Sequence, residues 1–414
     1  MTLLQLASLL IVLAGAFGAI NYFFLRLPAP IGILVVALLT SLVMMAGDAF
    51  LGLHIGDMVE AAIEDIDFSD ALMEGALGLM LFAGALHVKV SDLRSVWPMV
   101  LVMATAGVVL STLVVGYGFH WLTGAPILVA LTFGALISPT DPVAVLGVLR
   151  GADLRKSLET VISGESLFND GVGYVVFLVL SGVAFSAGPG EGATLADAGK
   201  LFLHEAVGGA LLGIALGWAV FRLMRLIDDP SLEVLLTLGL AFGGYELALM
   251  LHVSGPIMAV CAGLLIGDVG ARYGMSDETR KYVDAFWMLV DEILNAVLFL
   301  LIGFEIFAIT LDAEILTVAA ASVALALLGR LVAVVVPVLA LKPFTSFGPG
   351  VVPIMTWGGL KGGISVALAL SLPEMEWKPV ILTATYVIVV FSIIVQGLTV
   401  GWVAQRTGRQ QTLV

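Results

Sequence analysis

The sequence predicts an all-α integral membrane protein with thirteen transmembrane helices. Of its 414 residues, 60% are hydrophobic and only 12% are charged, whereas a soluble domain carries about 25% charged residues. The apolar residues form runs of roughly 20, the length that a helix needs to cross a bilayer. The basic residues fall in alternate connections between these runs, as expected when the cytoplasmic loops of a membrane protein are positively charged.

Thirteen apolar runs follow one another along the chain, each long enough for one transmembrane helix. No Lys or Arg precedes Arg26, so the first run lacks the basic start of a signal peptide and is expected to be retained. No connection is long and polar enough for a soluble domain, so residues 1–414 are predicted to form a single membrane domain. The predicted spans, numbered 1 to 13 in order, are 3–24, 30–46, 69–88, 97–119, 126–149, 157–185, 197–224, 231–250, 254–269, 283–307, 312–341, 349–372 and 378–403.

The distribution of Lys and Arg predicts the orientation. Of the 18 basic residues, fourteen follow odd-numbered spans, including the tail after Trp402. Lys200 and Lys378 fall on the opposite side, and Arg330 and Lys361 lie inside spans. Because basic residues concentrate on the cytoplasmic side, the N-terminus is expected outside and the C-terminus in the cytoplasm. The net charge of −14 argues against a nucleic-acid partner.

Two spans are predicted to be broken. Pro139 and Pro142 interrupt span 5, because proline removes a backbone donor and clashes with the preceding turn. Span 12 contains the glycine-rich stretch 358–363, where the helix is expected to unwind. Helix ends at such breaks carry partial charges, and Asp141 and Lys361 are placed to compensate them.

The breaks occupy equivalent places in two halves of the chain. Span 5 is the fifth span of the block 2–185, and span 12 is the fifth span of the block 229–404, with a linking helix at 186–228. The offset is an odd number of spans, so the two six-helix blocks are expected to have opposite orientations. Paired interrupted helices in two inverted repeats indicate an ion-binding site near the middle of the membrane.

Span 6 carries two acidic residues that point in different directions. At about 100° per residue, Ser166 and Asp170 share one face of the helix, and Glu165 and Asn169 share another. Asp170 lies about 140° round the helix from Glu165. The two acids are therefore expected to have different roles.

Asp141 and Asp170 lie in stretches apolar enough to cross the bilayer, where a charge costs several kcal/mol and is kept for a reason. Asp170 and Ser166 can face the broken span 5, where Thr140 and Asp141 add a hydroxyl and a carboxylate. This set of oxygen ligands suits an alkali cation better than a transition metal. Asn169 is either a further ligand or a packing residue, and no resident cofactor is expected.

Three other charged residues are interpreted as partners or modulators. Arg330 is the one charge in the apolar run 317–340 and should be paired. Glu165 is the expected partner, which predicts a structural ion pair. Lys361 is read as a helix-end partner rather than a substrate ligand, and Glu74, near the outer end of span 3, as either a site residue or a boundary residue.

Six segments of the sequence resemble the NhaP-type sodium/proton antiporters, a family of the monovalent cation/proton antiporter superfamily on the branch that includes the animal sodium/hydrogen exchangers. The Thr-Asp-Pro and Glu-Ser-x-x-Asn-Asp blocks together are highly specific for this family. The resemblance extends over nearly the whole chain. The segments are SPTDPVAV (138–145), GESLFNDG (164–171), VSGPIMAVCAGLLIG (253–267), LNAVLFLLIGFE (294–305), GRLVAV (329–334) and GGLKGGISVALALSLP (358–373).

The resemblance implies thirteen helices in two inverted six-helix repeats, crossed unwound helices 5 and 12, a homodimer and elevator-type alternating access. By position, Asp170 matches the ion-binding and proton-carrying aspartate of the family, with Asp141, Thr140 and Ser166 as its neighbours in the site. Asn169 matches the asparagine that marks the electroneutral branch. The expected substrates are protons and sodium or lithium, and the expected location is the inner membrane of a prokaryote.

The resemblance also implies that Glu165 and Arg330 form the family's structural ion pair, and Glu74 matches a helix-3 acid found in some members. One position departs from the family pattern: the Gly-Leu-Arg-Gly motif of helix 12 reads Gly-Leu-Lys-Gly here, with Lys361 in place of arginine. Lysine keeps the positive charge but loses the planar fork of the guanidinium group.

Alternative functions stay open at this point. Potassium/proton exchange is one, because the ligand types do not fix the size of the cavity. A cation channel is another, although a pair of broken helices favours a carrier. An intramembrane hydrolase that uses Asp141 and Asp170 as a dyad is a third, although the flanking Ser and Thr ligands and the lack of a metal motif argue against it.

Overall fold

The computed structural model describes residues 3–51, 76–141, 145, 156–185, 195–307, 309, 312–343, 347–348 and 350–408, and every regular element in these ranges is a helix. We number the main helices in chain order. They are α1 (Leu3–Ile20), α2 (Ala29–Leu51), α3 (Leu77–His87), α4 (Val90–Thr123), α5 (Ile127–Ile137), α6 (Lys156–Phe185), α7 (Leu195–Met224), α8 (Pro230–Met250), α9 (Gly255–Tyr273), α10 (Asp277–Phe304), α11 (Ala313–Leu341), α12 (Val351–Trp357), α13 (Gly363–Leu370) and α14 (Lys378–Thr407).

Ten helices in the described ranges are long enough and apolar enough to cross a membrane. Two further apolar helices, α3 and α5, are shorter, and α12 and α13 together occupy predicted span 12. The protein is therefore an all-helical, multi-pass membrane protein. The count of thirteen spans, the inverted repeats and the orientation stay predictions, and Glu74 lies outside the described residues.

Several helices begin at a residue whose side chain caps the exposed backbone amides of the first turn. Asp229, Ser254, Ser276 and Asp312 each accept a hydrogen bond from a backbone amide two or three residues later. Such caps satisfy donors that have no partner within the helix. The starts of α8, α9, α10 and α11 are therefore encoded locally in the sequence.

Both predicted breaks are present. Helix α5 ends at Ile137, and the residues from Ser138 to Asp141 are not helical. Helix α12 ends at Trp357, and α13 begins at Gly363, after five intervening residues. The breaks meet directly, because the backbone amide of Asp141 donates a hydrogen bond to the carbonyl of Leu360, at 2.8 Å.

A π-helical stretch of α14 braces the second break. Ser392 accepts a hydrogen bond from the backbone amide of Lys361 and donates one to Gln396, at 2.9 and 2.7 Å. The amide of Gln396 in turn donates to the carbonyl of Trp357, the last residue of α12. Both flanks of the break are thereby held by one neighbouring helix. Such π-helical insertions are frequent at functional sites.

The breaks lie where two buried apolar clusters approach each other. One cluster includes Phe82 of α3 and Met258 of α9, and the other includes Leu34 of α2 and Phe299 of α10. The cavity described below has one wall in each cluster, since Leu167 belongs to the first and Leu298 to the second. The packing therefore places the polar backbone of the breaks at the boundary between two hydrophobic clusters.

Candidate ion-binding site

The breaks open onto a small cavity of about 70 Å³ between α3, α6, α10 and α13. Three carboxylates line it: Asp141 of the first break, Asp170 of α6 and Asp291 of α10. Two hydroxyl-bearing residues, Thr140 and Ser365, add further oxygen atoms to its wall. The remaining lining residues are apolar side chains, glycines and Pro139. Oxygen is therefore the ligand atom that this cavity offers.

Asp170 is the most enclosed of the three carboxylates. It is 5% exposed, and its Oδ1 atom is buried without a hydrogen-bond partner in the part of the chain that the structure describes. An ionised carboxylate in this state is costly unless a counter-charge neutralises it. A cation or a proton at this oxygen would remove the cost.

Three buried polar side chains tie α6 to the first break. The Thr140 hydroxyl lies 3.0 Å from the Ser166 hydroxyl and accepts a 2.8 Å hydrogen bond from Asn169 Nδ2. The backbone amide of Thr140 donates to Asn169 Oδ1, at 3.2 Å. Thr140, Ser166 and Asn169 are each at most 3% exposed. Together they hold the unwound chain against the helix that carries Asp170.

The side chain of Asn169 reaches the first break, in addition to sharing a helix face with Glu165. The structure places the Asn169 amide on the same side of α6 as Ser166, where both contact Thr140. Residues three apart on a helix are neighbours as well as residues four apart, so Asn169 also lies next to Ser166. Both ends of its amide contact Thr140, so Asn169 braces the break. Its role as a further cation ligand stays a prediction.

Asp141 lies against the start of α13. A β-carbon at Gly362 would lie 2.6 Å from the Asp141 β-carbon and 2.7 Å from its Oδ2 atom, so only glycine fits there. Gly362 immediately precedes the first residue of α13. The N-terminal end of a helix carries a partial positive charge, and the carboxylate of Asp141 compensates it.

Lys361 lies at the opposite helix end. Its Nζ atom donates hydrogen bonds to the carbonyls of Ser138 and Pro139, at 3.0 and 3.2 Å, and the residue is 3% exposed. These carbonyls follow the C-terminal end of α5, where the helix carries a partial negative charge. The ammonium group therefore occupies the helix-end position that was inferred from the sequence.

The structure brings Glu165 and Arg330 together away from the cavity. Arg330 Nη2 donates to Glu165 Oε2 at 2.9 Å, and Nη1 donates to Oε1 of the same carboxylate. Arg330 Nε donates to the carbonyl of Met355, in the last turn of α12. A β-carbon at Gly359 would collide with the guanidinium group. The pair is buried and links α6, α11 and α12.

Sequence reasoning did not assign Asp291 or Ser365 to this cavity. Asp291 lies on α10, more than a hundred residues from Asp170 in the sequence. The spacing of polar and apolar residues along α10 does not show which helices it packs against. Ser365 follows the second break and has a buried hydroxyl without a partner in the described ranges. Its position two residues after Gly363, in the first turn after the predicted break, was the sequence signal that could have identified it.

The chain is similar to known sodium/hydrogen exchangers over almost its whole length. A family model described as "Sodium/hydrogen exchanger, transmembrane" matches residues 8–406. The Na(+)/H(+) antiporter NhaP of Pseudomonas aeruginosa is 46% identical, over 99% of this chain and 98% of that protein. The Na(+)/H(+) antiporter NhaH of Halobacillus aidingensis is 37% identical, over 80% of this chain and 82% of that protein.

A solved structure has the same fold. The sodium proton antiporter MjNhaP1 of Methanocaldococcus jannaschii at pH 8 superposes with a TM-score of 0.78 and 20% identity, covering 98% of both chains. The fold, the broken-helix cavity and the matching relatives agree with the resemblance found in the sequence. The protein is a transporter rather than an enzyme. It belongs to the sodium/hydrogen exchanger family.

Proposed function

We propose that this protein exchanges sodium or lithium ions for protons across the membrane. The observation that carries the proposal is the buried Asp170 carboxylate. It lines a cavity together with four other oxygen-bearing side chains, and its Oδ1 atom is unpartnered among the described residues. The matching relatives are named Na(+)/H(+) antiporters. This supports sodium over potassium as the transported cation and a carrier over a channel.

The proposed mechanism is competition for one carboxylate. Because an isolated charge in this cavity is costly, Asp170 is stable either with a bound cation or with a proton, but both cannot occupy the same oxygen atoms. Asp141, Thr140 and Ser166 lie beside it and complete the ligand set. Mutual exclusion couples the outward movement of one ion to the inward movement of the other.

The proposed exchange is electroneutral. Asn169 adds no charge, and its amide holds Thr140 in place. Glu165 is neutralised by Arg330. Asp170 is therefore proposed to carry a single positive charge in each direction. With the membrane potential clamped, we expect exchange to produce no current that reverses with the sodium gradient.

The larger-scale features are proposals that the resemblance supports. We assign residues 2–185 and 229–404 to two inverted repeats joined by 186–228, with the N-terminus outside and the C-terminus in the cytoplasm. Transport would follow an elevator-type mechanism, in which a core part moves against a dimerisation part, in a homodimer embedded in lipid. The expected location is the inner membrane of a prokaryote, since the matching relatives include bacterial proteins.

Reconstituted vesicles with an internal pH dye test the proposal. We expect wild type to exchange lithium or sodium for protons, and Asp170→Asn to be folded but inactive. Asp284→Asn is the matched control, because this carboxylate is 46% exposed, far from the enclosed environment of Asp170, and should leave exchange unchanged. Sodium/proton exchange that persists in Asp170→Asn would refute the competition scheme.

A further inference from the structure

Asp291 lines the same cavity as Asp170 but comes from a different helix, α10. We propose that Asp291 is a cation-capture residue: it attracts the alkali cation into the cavity and passes it to Asp170, without itself taking part in the exchange of cation for proton. This proposal rests on the proposed exchange function. It concerns how the cation reaches the site, which the competition at Asp170 leaves open.

A hydrogen-bonded neighbour holds the Asp291 side chain in place. Asn295 Nδ2 donates to Asp291 Oδ1 at 3.0 Å and to the Asp291 backbone carbonyl at 2.8 Å. Asn295 is one turn further along α10 and only 2% exposed, so its amide is a fixed support. One carboxylate oxygen, Oδ1, is thereby anchored, which fixes the direction of the Asp291 side chain at the cavity wall.

Three basic side chains in the described part of the chain form their hydrogen bonds with groups other than the cavity carboxylates. The guanidinium of Arg330 binds Glu165, and the ammonium of Lys361 binds the carbonyls of Ser138 and Pro139. His87, at the end of α3, has its Nδ1 atom 2.7 Å from the carbonyl of Ala83. These three groups therefore do not hydrogen-bond directly to the cavity carboxylates, and a low-dielectric cleft with an excess of charge of one sign concentrates counter-ions.

Exposure separates the role of Asp291 from that of Asp170. Asp291 is half-buried, whereas Asp170 is 5% exposed. A cation that arrives with its hydration shell can meet Asp291 before it loses the remaining water at the more enclosed carboxylate. Capture at the first residue and exchange at the second are therefore distinct steps, and they predict different kinetic effects.

The adjacent residue on α10 supplies a matched control. Glu292 carries the same charge at the next position but is exposed and does not line the cavity. We expect Asp291→Asn to raise the apparent KM for sodium about three- to tenfold, the size of one lost charge at short range, with the maximal rate within about twofold of wild type. Glu292→Gln should change neither quantity.

The ionic strength dependence distinguishes capture from a structural role. In the exchange assay, choline chloride should narrow the KM difference between wild type and Asp291→Asn, because salt screens the attraction of a partly exposed carboxylate. If the substitution instead raised the KM by distorting the local structure, the KM difference from wild type would be the same at every salt concentration. An unchanged KM, or a loss of maximal rate with unchanged KM, overturns the proposal.

A second variant and a second readout cover the cases in which folding or transport fails. Asn295→Ser keeps the Asp291 carboxylate but removes the amide that hydrogen-bonds to it, so this variant should also raise the KM for sodium. Sodium-dependent thermal stabilisation of the purified protein, with sodium chloride exchanged for choline chloride, should shift to higher sodium in Asp291→Asn and vanish in Asp170→Asn. If the sodium concentration for half-maximal stabilisation of Asp291→Asn equals that of wild type, the capture role of Asp291 is wrong and the exchange scheme is unaffected. If sodium still stabilises Asp170→Asn, the exchange scheme itself is wrong.

Discussion

Replacement of Arg330 by methionine is expected to destabilise the protein strongly while leaving its affinity for sodium almost unchanged. The substitution removes both hydrogen bonds to Glu165 and the one to the Met355 carbonyl. Glu165 is 2% exposed, so its carboxylate would stay buried without a counter-charge. Loss of one partner of such a pair costs about 3–5 kcal/mol. Arg330 is absent from the lining of the cavity, which is why sodium binding should be spared.

An exposed ion pair gives the comparison. Lys378 binds Glu374, whose side chain is 90% exposed, so Lys378→Met should cost only about 0–1 kcal/mol. The double variant Glu165→Gln with Arg330→Met should recover much of the loss, because no charge is then left buried. Thermal unfolding in detergent measures stability, and a sodium titration of exchange measures affinity. A normal melting temperature with lost activity would place Arg330 in the ion chemistry and refute this reasoning.

Three further substitutions test the breaks. Gly362→Ala should weaken sodium binding severely, because the added methyl group would overlap the Asp141 side chain, whereas Gly239→Ala, where a methyl group meets nothing within 4 Å, should be silent in the same titration. Lys361→Met should lower the free energy of unfolding by about 1.5–3 kcal/mol for each charged hydrogen bond lost at the α5 end, and Lys361→Arg should restore most of the thermal stability. Asn169→Ala should cost about 1 kcal/mol for each of its two hydrogen bonds to the first break and raise the sodium KM.

Each of these expectations has an outcome that contradicts it. Unchanged sodium binding in Gly362→Ala would mean that the carboxylate of Asp141 is not confined by the glycine. A melting temperature of Lys361→Met equal to that of wild type would show that the α5 carbonyls need no counter-charge. Wild-type sodium affinity in Asn169→Ala would show that the hydrogen bonds of Asn169 to the first break do not influence sodium binding.

The features that depend on local chemistry were predictable from the sequence. Pro139 and the glycines around Lys361 indicate broken helices because their backbone effects need no tertiary context. The pairing of Glu165 with Arg330 followed from the rarity of unpaired charges in apolar segments. The sequence thus predicted the broken helices, the pairing and the face of α6 that carries Asp170.

What could not be predicted depends on how helices pack. Periodicity gives the faces of a helix but not its neighbours, so the position of Asp291 in the cavity required the structure. The contact of Asn169 with Thr140 was not predicted either, because residues three and four apart are both neighbours on a helix and the sequence does not show which neighbour faces the break. The hydrogen bond from Asp141 to Leu360 joins segments more than two hundred residues apart, and no local signal encodes it.

That hydrogen bond is made entirely by main-chain atoms. Every residue except proline can supply the amide of position 141, and every residue can supply the carbonyl of position 360. Side-chain replacement during evolution therefore leaves the joint between the two broken helices untouched, while the groups around it can change, as the lysine at position 361 shows. The side chains that line the cavity can therefore vary while the main-chain contact between the two breaks is kept.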